Sequence, residues 1–194
     1  WTFGYLAERA IAGLEPGEAA EHRRRLTDPR GRPFELLVRD APPGHVEVVV
    51  PVAVLPELEG LLDSVERLLD LHRDLGPVHE VLEADPVLRA VAATGRGARV
   101  PGAFDPFELA VRAVLGQQVS VAGARTLAGR LVARHGRLVE GVRLFPGPEA
   151  LARVDPADLG VPRSRGRALV GLAGAALDAP DLLAGPSREV RRRL

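Results

Sequence analysis

At 194 residues, 46% of them hydrophobic, the chain is long enough to form one large domain or two small ones with buried cores. It has no cysteine, which excludes disulfides and thiolate metal sites, and no run of about 20 apolar residues that could cross a membrane. The formal net charge is zero, but residues 1–100 contain 12 arginines against 17 acidic residues, whereas residues 101–194 contain 14 against 9. A nucleic acid would be attracted to the second half, although solvated helix faces could produce the same division.

The first part of the chain predicts a helix, a small antiparallel sheet and a second helix. The first helix has one apolar stripe, and Tyr5 falls outside it. From Ala19 to Val52 the apolar period changes to two, and turn signals divide this segment into three strands. A long helix from Leu55 to His72 then keeps its apolar residues on one face for about five turns. We expect this helix to cover one face of the sheet.

From Gly76 onward the pattern predicts helices only. Short helices are expected near residues 78–82 and 86–93, and a central helix pair lies between Phe104 and His135. After the pair, a loop is expected to reach Pro148. The remaining predicted helices lie near 149–153 and 156–159, after Ser164 as an N-cap, and after Ser187.

Local rules specify the first helix of the central pair more strongly than any other segment. Asp105 is a good N-cap, and Pro106 suits the first helical position. Glu108 follows Asp105 at the spacing of an acidic capping box, in which its side chain would return to the N-cap backbone. Gly116 is the expected left-handed residue that ends this helix.

Only a very short turn separates the two central helices. Ser120 is the expected N-cap of the second helix, and Gly136 the expected residue just after its end. The turn itself contains Gln117 and Gln118, two adjacent amides between two strongly apolar helices. Polar side chains at such a position indicate either a simple exposed turn or a binding function.

The central turn and its flanks resemble the AlkA-type DNA-3-methyladenine glycosylases, the alkylation-repair branch of the helix-hairpin-helix DNA glycosylases. The matching residues are V-P-G-A-F-D-P-F-E-L-A-V-R-A-V-L-G-Q-Q-V-S-V, from Val100 to Val121. The segments Trp1 to Ile11 and Phe145 to Leu169 resemble the family in the same order. The resemblance implies an α+β fold, with residues 1–75 as a TATA-binding-protein-like domain of a small antiparallel sheet and helices. Residues 76–194 would be the first part of an all-helical helix-hairpin-helix glycosylase domain.

The resemblance also implies a function in base-excision repair of alkylated DNA. The intact protein would flip a 3-methyladenine-type base out of double-stranded DNA and hydrolyse its N-glycosidic bond, as a monofunctional hydrolase without a cofactor. The chain has no lysine, so it offers no lysine amine for the Schiff base of a strand-cutting glycosylase. A cytoplasmic, nucleoid-associated monomer without a membrane partner is expected.

Two candidate sites follow from the resemblance. Gln117 and Gln118 would enter the minor groove and fill the space left by the flipped nucleotide. The best-known members carry leucine where this chain has Gln118, and glutamine stacks less well. Tyr5 would line the base pocket and stack on a cationic alkylated base. The alternatives are a turn that merely exposes two amides and a tyrosine that is simply at the surface.

The charged residues give weaker indications. Arg163 and Arg165, at the start of a predicted helix, are possible phosphate contacts, although charged residues usually belong to a solvated face. The five histidines show no metal-ligand spacing, so no metal site is predicted. His135, in the last turn of a helix, is explained by the helix dipole.

The catalytic aspartate of the family has no counterpart within the chain. In register, Ser187 to Leu194 would be the helix immediately before the family's glycine-rich hairpin, and the aspartate is expected beyond Leu194. No catalytic residue is therefore assigned in this chain. Because the chain also lacks methionine, we expect a segment of a longer protein that is inactive alone. The alternative is a non-catalytic DNA-binding or regulatory segment of a larger adaptive-response protein.

Overall fold

The computed structural model describes residues 2–42, 44–95, 97–183, 190 and 192–193. These residues form an α+β fold, as predicted, in which a three-stranded antiparallel sheet precedes a mainly helical part. Most of the predicted helix after Ser187 lies outside the described residues, and the three of its residues that are described, Val190, Arg192 and Arg193, are helical. In chain order the elements are α1 (Thr2–Arg9), β1 (Glu21–Thr27), β2 (Pro33–Ala41), β3 (His45–Val49), a 3₁₀ helix (Val52–Glu57), α2 (Leu58–Leu69), α3 (Gly76–Ala84), α4 (Arg89–Thr94), α5 (Pro106–Gly116), α6 (Val121–His135), β4 (Leu138–Val139), β5 (Val142–Arg143), α7 (Pro148–Leu151), a second 3₁₀ helix (Pro156–Leu159) and α8 (Arg163–Asp178).

The sheet is the predicted meander, with strand order β1-β2-β3. Val38 pairs with His22 on one side and with Val48 on the other, so β2 is the central strand. Leu36 and Val38 alternate inward and are fully buried, as the period of two requires. The apolar face of α2 packs on them, which confirms that this helix covers the sheet.

The predicted helix from Leu55 to His72 is shorter than expected. Its first turn is the 3₁₀ helix, which contains Pro56, and α2 proper begins only after it. Proline has no N–H to donate to the α-helical ladder, which explains the late start. At the other end, Asp70 takes a left-handed conformation, with φ of 54°, and ends the helix. Leu55 is consequently 50% exposed, and His72 lies beyond the helix with its Nε2 2.9 Å from Glu66.

A second hydrophobic core lies among α5, α6 and α8, and it also includes residues from the start of the chain. Ile11 and Leu14, which follow α1, are buried in this core, whereas Phe3 belongs to the core under the sheet. Conversely, Phe104 packs against the sheet core although it precedes α5. The division into domains at residues 75 and 76 therefore stays a prediction, since each core draws residues from the other part.

The expectation of helices only after Gly76 is wrong at one place. A short antiparallel hairpin, β4 and β5, occupies part of the segment that was expected to be a loop. Its two turn residues, Glu140 and Gly141, have φ of 47° and 79°, the left-handed pair that suits a two-residue hairpin turn. Ser164 is also not an N-cap: α8 begins at Arg163, so Ser164 is already helical.

The two predicted caps of the central pair are confirmed. The Asp105 carboxylate accepts hydrogen bonds from the backbone N–H groups of Phe107 and Glu108, at 2.8 and 3.1 Å. The Ser120 hydroxyl accepts from the N–H of Gly123 at 3.1 Å. These bonds satisfy donors that every helix N-terminus leaves free, so both start points are fixed locally.

The two glycines that were expected to end the central helices in a left-handed conformation take other conformations. Gly116 is the last helical residue of α5, and the left-handed residue of the turn is Gln118, with φ of 56°. Gly136 is extended rather than left-handed, with φ of −65°. It is needed there for close approach, because a Cβ atom would overlap the carbonyl oxygens of Val132 and Leu144.

Candidate functional site

A cleft of about 310 Å³ lies between α1, the segment that leads into α5, and the α5–α6 pair. Gly102 sets the position of that leading segment. Its N–H donates to the carbonyl of Leu68 at 2.9 Å, and a Cβ atom would overlap the carbonyl of Arg67. Only glycine lets the backbone lie this close to α2. The cleft is lined by, among others, Tyr5, Arg9, Glu15, His22, Arg24, Phe104, Asp105, Glu108, Arg112, Gly116, Val119, Ser120, Val121 and Arg125.

Tyr5 lies on the wall of the cleft that α1 forms. It is half-buried, and it does not join the sheet core, in which Phe3 of the same helix is 7% exposed. The guanidinium carbon of Arg9, one turn later, lies 3.6 Å from the centroid of the Tyr5 ring. Tyr5 is therefore outside the sheet core, as its position off the apolar stripe predicts, and its role in binding a base stays a prediction.

The turn between α5 and α6 forms one end of the cleft. Gln117 and Gln118 are both exposed, and their neighbours Gly116 and Val119 line the cleft. Gln117 has an extended backbone, and the left-handed Gln118 completes the reversal before Ser120 starts α6. Tyr5 and the two residues that flank the Gln117–Gln118 pair therefore line one cleft.

One of the two predicted phosphate-contacting arginines lies beside the turn. The Nη2 of Arg165, on α8, donates to the carbonyl oxygen of Gln117 at 2.6 Å. This bond satisfies a backbone acceptor that follows the end of α5 and holds the turn against α8. Arg163, two residues earlier, is exposed. Contact of either arginine with a phosphate stays a prediction.

Buried ion pairs form the floor of the cleft, and they join the sheet to the helices. Arg24 of β1 is 6% exposed and donates to Glu15 at 3.0 Å and to both carboxylate oxygens of Glu108. Arg112, one turn after Glu108, donates to Glu15 at 2.6 Å. The predicted capping box is therefore wrong, because the Glu108 carboxylate points to Arg24 rather than back to the N-cap backbone.

The ionisable groups of the floor perturb one another. Burial by itself would raise the pKa of Glu15, but the nearby Arg112 and Arg24 charges outweigh it and hold that pKa below its usual value. Burial lowers the pKa of His22, and Glu15 opposes this shift only in part. His22 is thus neutral near pH 7, and its buried Nε2 has no hydrogen-bond partner among the described residues.

All three acidic residues described in the cleft lining have structural partners. Glu15 and Glu108 are engaged in the ion pairs, and Asp105 caps α5. Outside the cleft, Asp155 accepts from the N–H of Ala157 at 2.8 Å and caps the second 3₁₀ helix. The expectation that the catalytic carboxylate lies outside this chain stays a prediction.

Among the described residues, no group of three or more histidine, aspartate or glutamate side chains could hold a metal ion. Over the same residues, no helix is both long enough and apolar enough to span a membrane.

The buried ion pairs were not predicted from the sequence, although one signal for them is present. Leu26 of β1 is apolar, and a period of two from it places Arg24 and His22 on the same inward face. A buried arginine on a strand needs a carboxylate partner, since an unpaired buried charge is very costly. The partner could not be chosen from the strand alone, because Glu108 lies 84 residues away.

Comparison with known proteins identifies the family. The model of the AlkA N-terminal domain matches residues 1–105. The probable bifunctional transcriptional activator/DNA repair enzyme AlkA of Mycobacterium tuberculosis is 40% identical over 182 residues, which are 91% of this chain and 36% of that protein. DNA-3-methyladenine glycosylase 2 of Escherichia coli K12 is 32% identical over 184 residues, 92% of this chain and 63% of that protein. The chain thus spans about one third to two thirds of the length of these curated relatives.

Solved structures share the fold. The 3-methyladenine DNA-glycosylase from Archaeoglobus fulgidus has a TM-score of 0.75 at 22% identity, covering 99% of this chain and 67% of that one. The 8-oxoguanine glycosylase/lyase of Clostridium acetobutylicum, in complex with double-stranded DNA, has a TM-score of 0.60 at 17% identity, with 88% and 62% covered. Because the N-terminal model covers more than half of the chain, and relatives named AlkA align over nine tenths of it, the chain belongs to the AlkA family.

Proposed function

We propose that the chain is the part of a DNA glycosylase that engages double-stranded DNA and receives an alkylated base. One observation carries the proposal: Tyr5 lines the same cleft as Gly116 and Val119, the two residues that flank Gln117 and Gln118. A base-flipping enzyme needs such an arrangement, with a side chain that enters the helix next to a pocket that takes the base. The names of the curated relatives support repair of alkylated bases.

In this proposal the turn replaces the base that leaves the stack. Extruding a nucleotide costs a few kcal/mol, and a side chain that fills the gap offsets part of that cost. Gln118 is exposed and left-handed at the tip of the turn, and the bond from Arg165 to Gln117 braces the backbone behind it. The amide of Gln118 would also hydrogen-bond the base left without a partner.

Tyr5 would form one wall of the base pocket. Cationic alkylated purines are attracted to the face of an electron-rich ring by up to about 2 kcal/mol when water is excluded. The ring lies on a cleft of about 310 Å³, near the lower end of the volumes typical of small-molecule sites. Stacking on Tyr5 would favour damaged, positively charged bases over normal ones.

The positive second half of the chain would bind the DNA backbone. Arg163 and Arg165 at the start of α8 are proposed to contact phosphates close to the turn. Such contacts would make binding salt-dependent, since each neutralised phosphate releases counterions. We further propose that the protein works as a monomer in the cytoplasm, at the nucleoid, without a cofactor.

No described carboxylate is proposed as catalytic, because those in the cleft have structural partners. The 194-residue chain by itself should therefore release no 3-methyladenine from methylated DNA, since the cation that develops on the sugar would lack a fixed counter-charge. Release above a buffer control, abolished by a substitution within the chain, would place the active site inside it.

A second candidate function is supported by the name of the Mycobacterium tuberculosis relative, which includes transcriptional activator. In that case the chain would be a non-catalytic DNA-binding segment of a larger regulatory protein. The two proposals predict different binding to damaged DNA. A repair enzyme should bind an abasic site more tightly than intact DNA, whereas a regulatory segment should bind by sequence or charge alone.

Binding of a labelled duplex tests the proposal directly. We expect the protein to prefer a duplex with an abasic-site analogue over the intact duplex, and Gln118→Gly to reduce that preference by about tenfold, or 1.4 kcal/mol. Glu140→Gly is the matched control, because Glu140 is also an exposed left-handed residue but lies in the β4–β5 hairpin. An equal preference in the wild type and Gln118→Gly would show that the turn is only a connection between helices.

A further inference from the structure

The side chain of Arg9 lies over the aromatic ring of Tyr5. Arg9 follows Tyr5 by one helical turn, and its guanidinium carbon lies 3.6 Å from the ring centroid. Both residues line the cleft. The surface that would attract a cationic base is therefore already in contact with a cation that belongs to the protein.

The contacts that hold Arg9 in this place are weak. Its Nη1 donates to the backbone carbonyl of Tyr5 at 3.2 Å and lies 3.4 Å from the carboxylate of Glu8. Glu8 is 74% exposed, so solvent screens that ion pair. The Arg9 side chain is itself 33% exposed and could move into water without leaving a buried unpaired charge.

We infer that Arg9 is a specificity-determining residue that competes with cationic bases for the Tyr5 ring. This competition reduces the difference in binding affinity between cationic and neutral bases. The inference rests on the proposed role of Tyr5 as a wall of the base pocket. The ring attracts a guanidinium and a cationic heterocycle through the same quadrupole, so a cationic base must displace Arg9 or share the ring with a like charge. A neutral planar base gains less from the ring and suffers no charge repulsion from Arg9.

Removing the arginine should therefore affect cations selectively. The contact of an exposed arginine with an aromatic ring is worth about 0.5–1 kcal/mol, so its loss should raise the affinity for a planar cation two- to fivefold. The affinity for a neutral analogue of the same size should stay unchanged. The affinity for the cation divided by that for the neutral analogue should therefore be lower in the wild type than in the variant, by the same factor.

The chain offers a direct probe, because Tyr5 is its single tyrosine. Titration of protein with ¹³C-labelled tyrosine, followed by NMR of the ring, reports only on this residue. The probes are N-methylquinolinium, a planar cation, and 2-methylquinoline, at a pH at which the latter is neutral. The proteins compared are the wild type, Arg9→Met and a control, Arg125→Met. Arg125 also lines the cleft, but its Nε donates to the carbonyl of Ala10 at 3.1 Å.

The expected result is tighter binding of N-methylquinolinium by Arg9→Met alone, with 2-methylquinoline unaffected. A second neutral replacement, Arg9→Gln, should behave like Arg9→Met. The inference is overturned if both probes gain equally, or if Arg125→Met has the same effect, since the general positive charge of the cleft would then be responsible. If the cation binds at Tyr5 with equal affinity in the wild type and Arg9→Met, only the inference about Arg9 fails. If neither probe shifts the NMR signals of the Tyr5 ring in any of the proteins, the proposed base pocket fails together with the inference about Arg9.

Discussion

Replacing Glu108 by glutamine tests whether the ion pairs under the cleft hold the sheet and the helices together. The change keeps the size of the side chain and one acceptor oxygen. It places an amide NH₂ group against the guanidinium of Arg24, which now has to form its hydrogen bonds with fewer acceptors. Arg112, at 3.2 Å from Glu108, loses the same partner.

The expected cost follows from burial. Glu108 is 4% and Arg24 6% exposed, so neither charge can recover its hydration when the other is removed. Breaking a buried pair from one side costs about 3–5 kcal/mol. For a chain of this length, that loss lowers the melting temperature by roughly 6–20 °C. Arg112 adds less to the cost, because its side chain is partly exposed and water can screen it.

Urea unfolding followed by circular dichroism measures the loss, and the exposed pair of Arg39 and Glu47 provides the matched control. These two side chains lie 2.8 Å apart on neighbouring strands and are both about half exposed. Glu47→Gln should leave the unfolding midpoint almost unchanged. If Glu108→Gln shifts the midpoint no more than Glu47→Gln does, the buried network does not hold the two parts together.

Three other substitutions test separate parts of the structure. Gln118→Gly should leave the urea midpoint equal or slightly higher, because it relieves part of a left-handed penalty of about 1–2 kcal/mol; a clear drop would make Gln118 a structural residue. Asp105→Ala should cost about 1 kcal/mol in the same assay through the loss of two capping bonds, and an unchanged midpoint would mean that they contribute nothing. The lowered pKa of Glu15 stabilises the fold above its ordinary value of 4.5, and this contribution is lost as the pH falls through the lower folded-state value. Glu15→Gln should therefore flatten the pH dependence of the urea midpoint below about pH 4.5; an unaltered slope would contradict that assignment.

Features encoded within a few residues were predicted well. The caps at Asp105 and Ser120 depend on side chains that bond to N–H groups two or three residues later. The sheet followed from the alternation of residues such as Leu36 and Val38, because one face of it is buried. Both kinds of signal are complete within the segment that carries them.

Features that depend on distant partners were not predicted. Glu108 has the spacing of a capping box, but Arg24 lies 84 residues before it and offers a stronger partner. Glycine is the residue type expected just after the end of a helix, yet Gly116 is still helical. A Cβ atom there would be 3.9 Å from that of Ala124, so this position faces α6. For Glu108, a tertiary contact overrode a correct local preference.

The hairpin of β4 and β5 was missed for a different reason. Its signal is local, since Glu140 and Gly141 form a two-residue turn between Val139 and Val142, but two-residue strands are below the length at which alternation can be recognised. Tyr5 shows the opposite case. Its exclusion from the apolar stripe was sufficient to place it away from the sheet core, and the four-residue spacing to Arg9 was a signal for their contact that was not used.

The position of Ile11 and Leu14 in the helical core has a consequence for biosynthesis. Within this chain these residues are synthesised long before α8, and their core is completed only when α8, with Leu169, has been made. At about 5–20 residues per second, that interval is roughly 8–30 s. During this time two large apolar side chains have no final partner, although the sheet that follows them can already form. We therefore expect this segment to be available to chaperones during translation, and slowing synthesis of the second half should lower the soluble yield more than slowing the first.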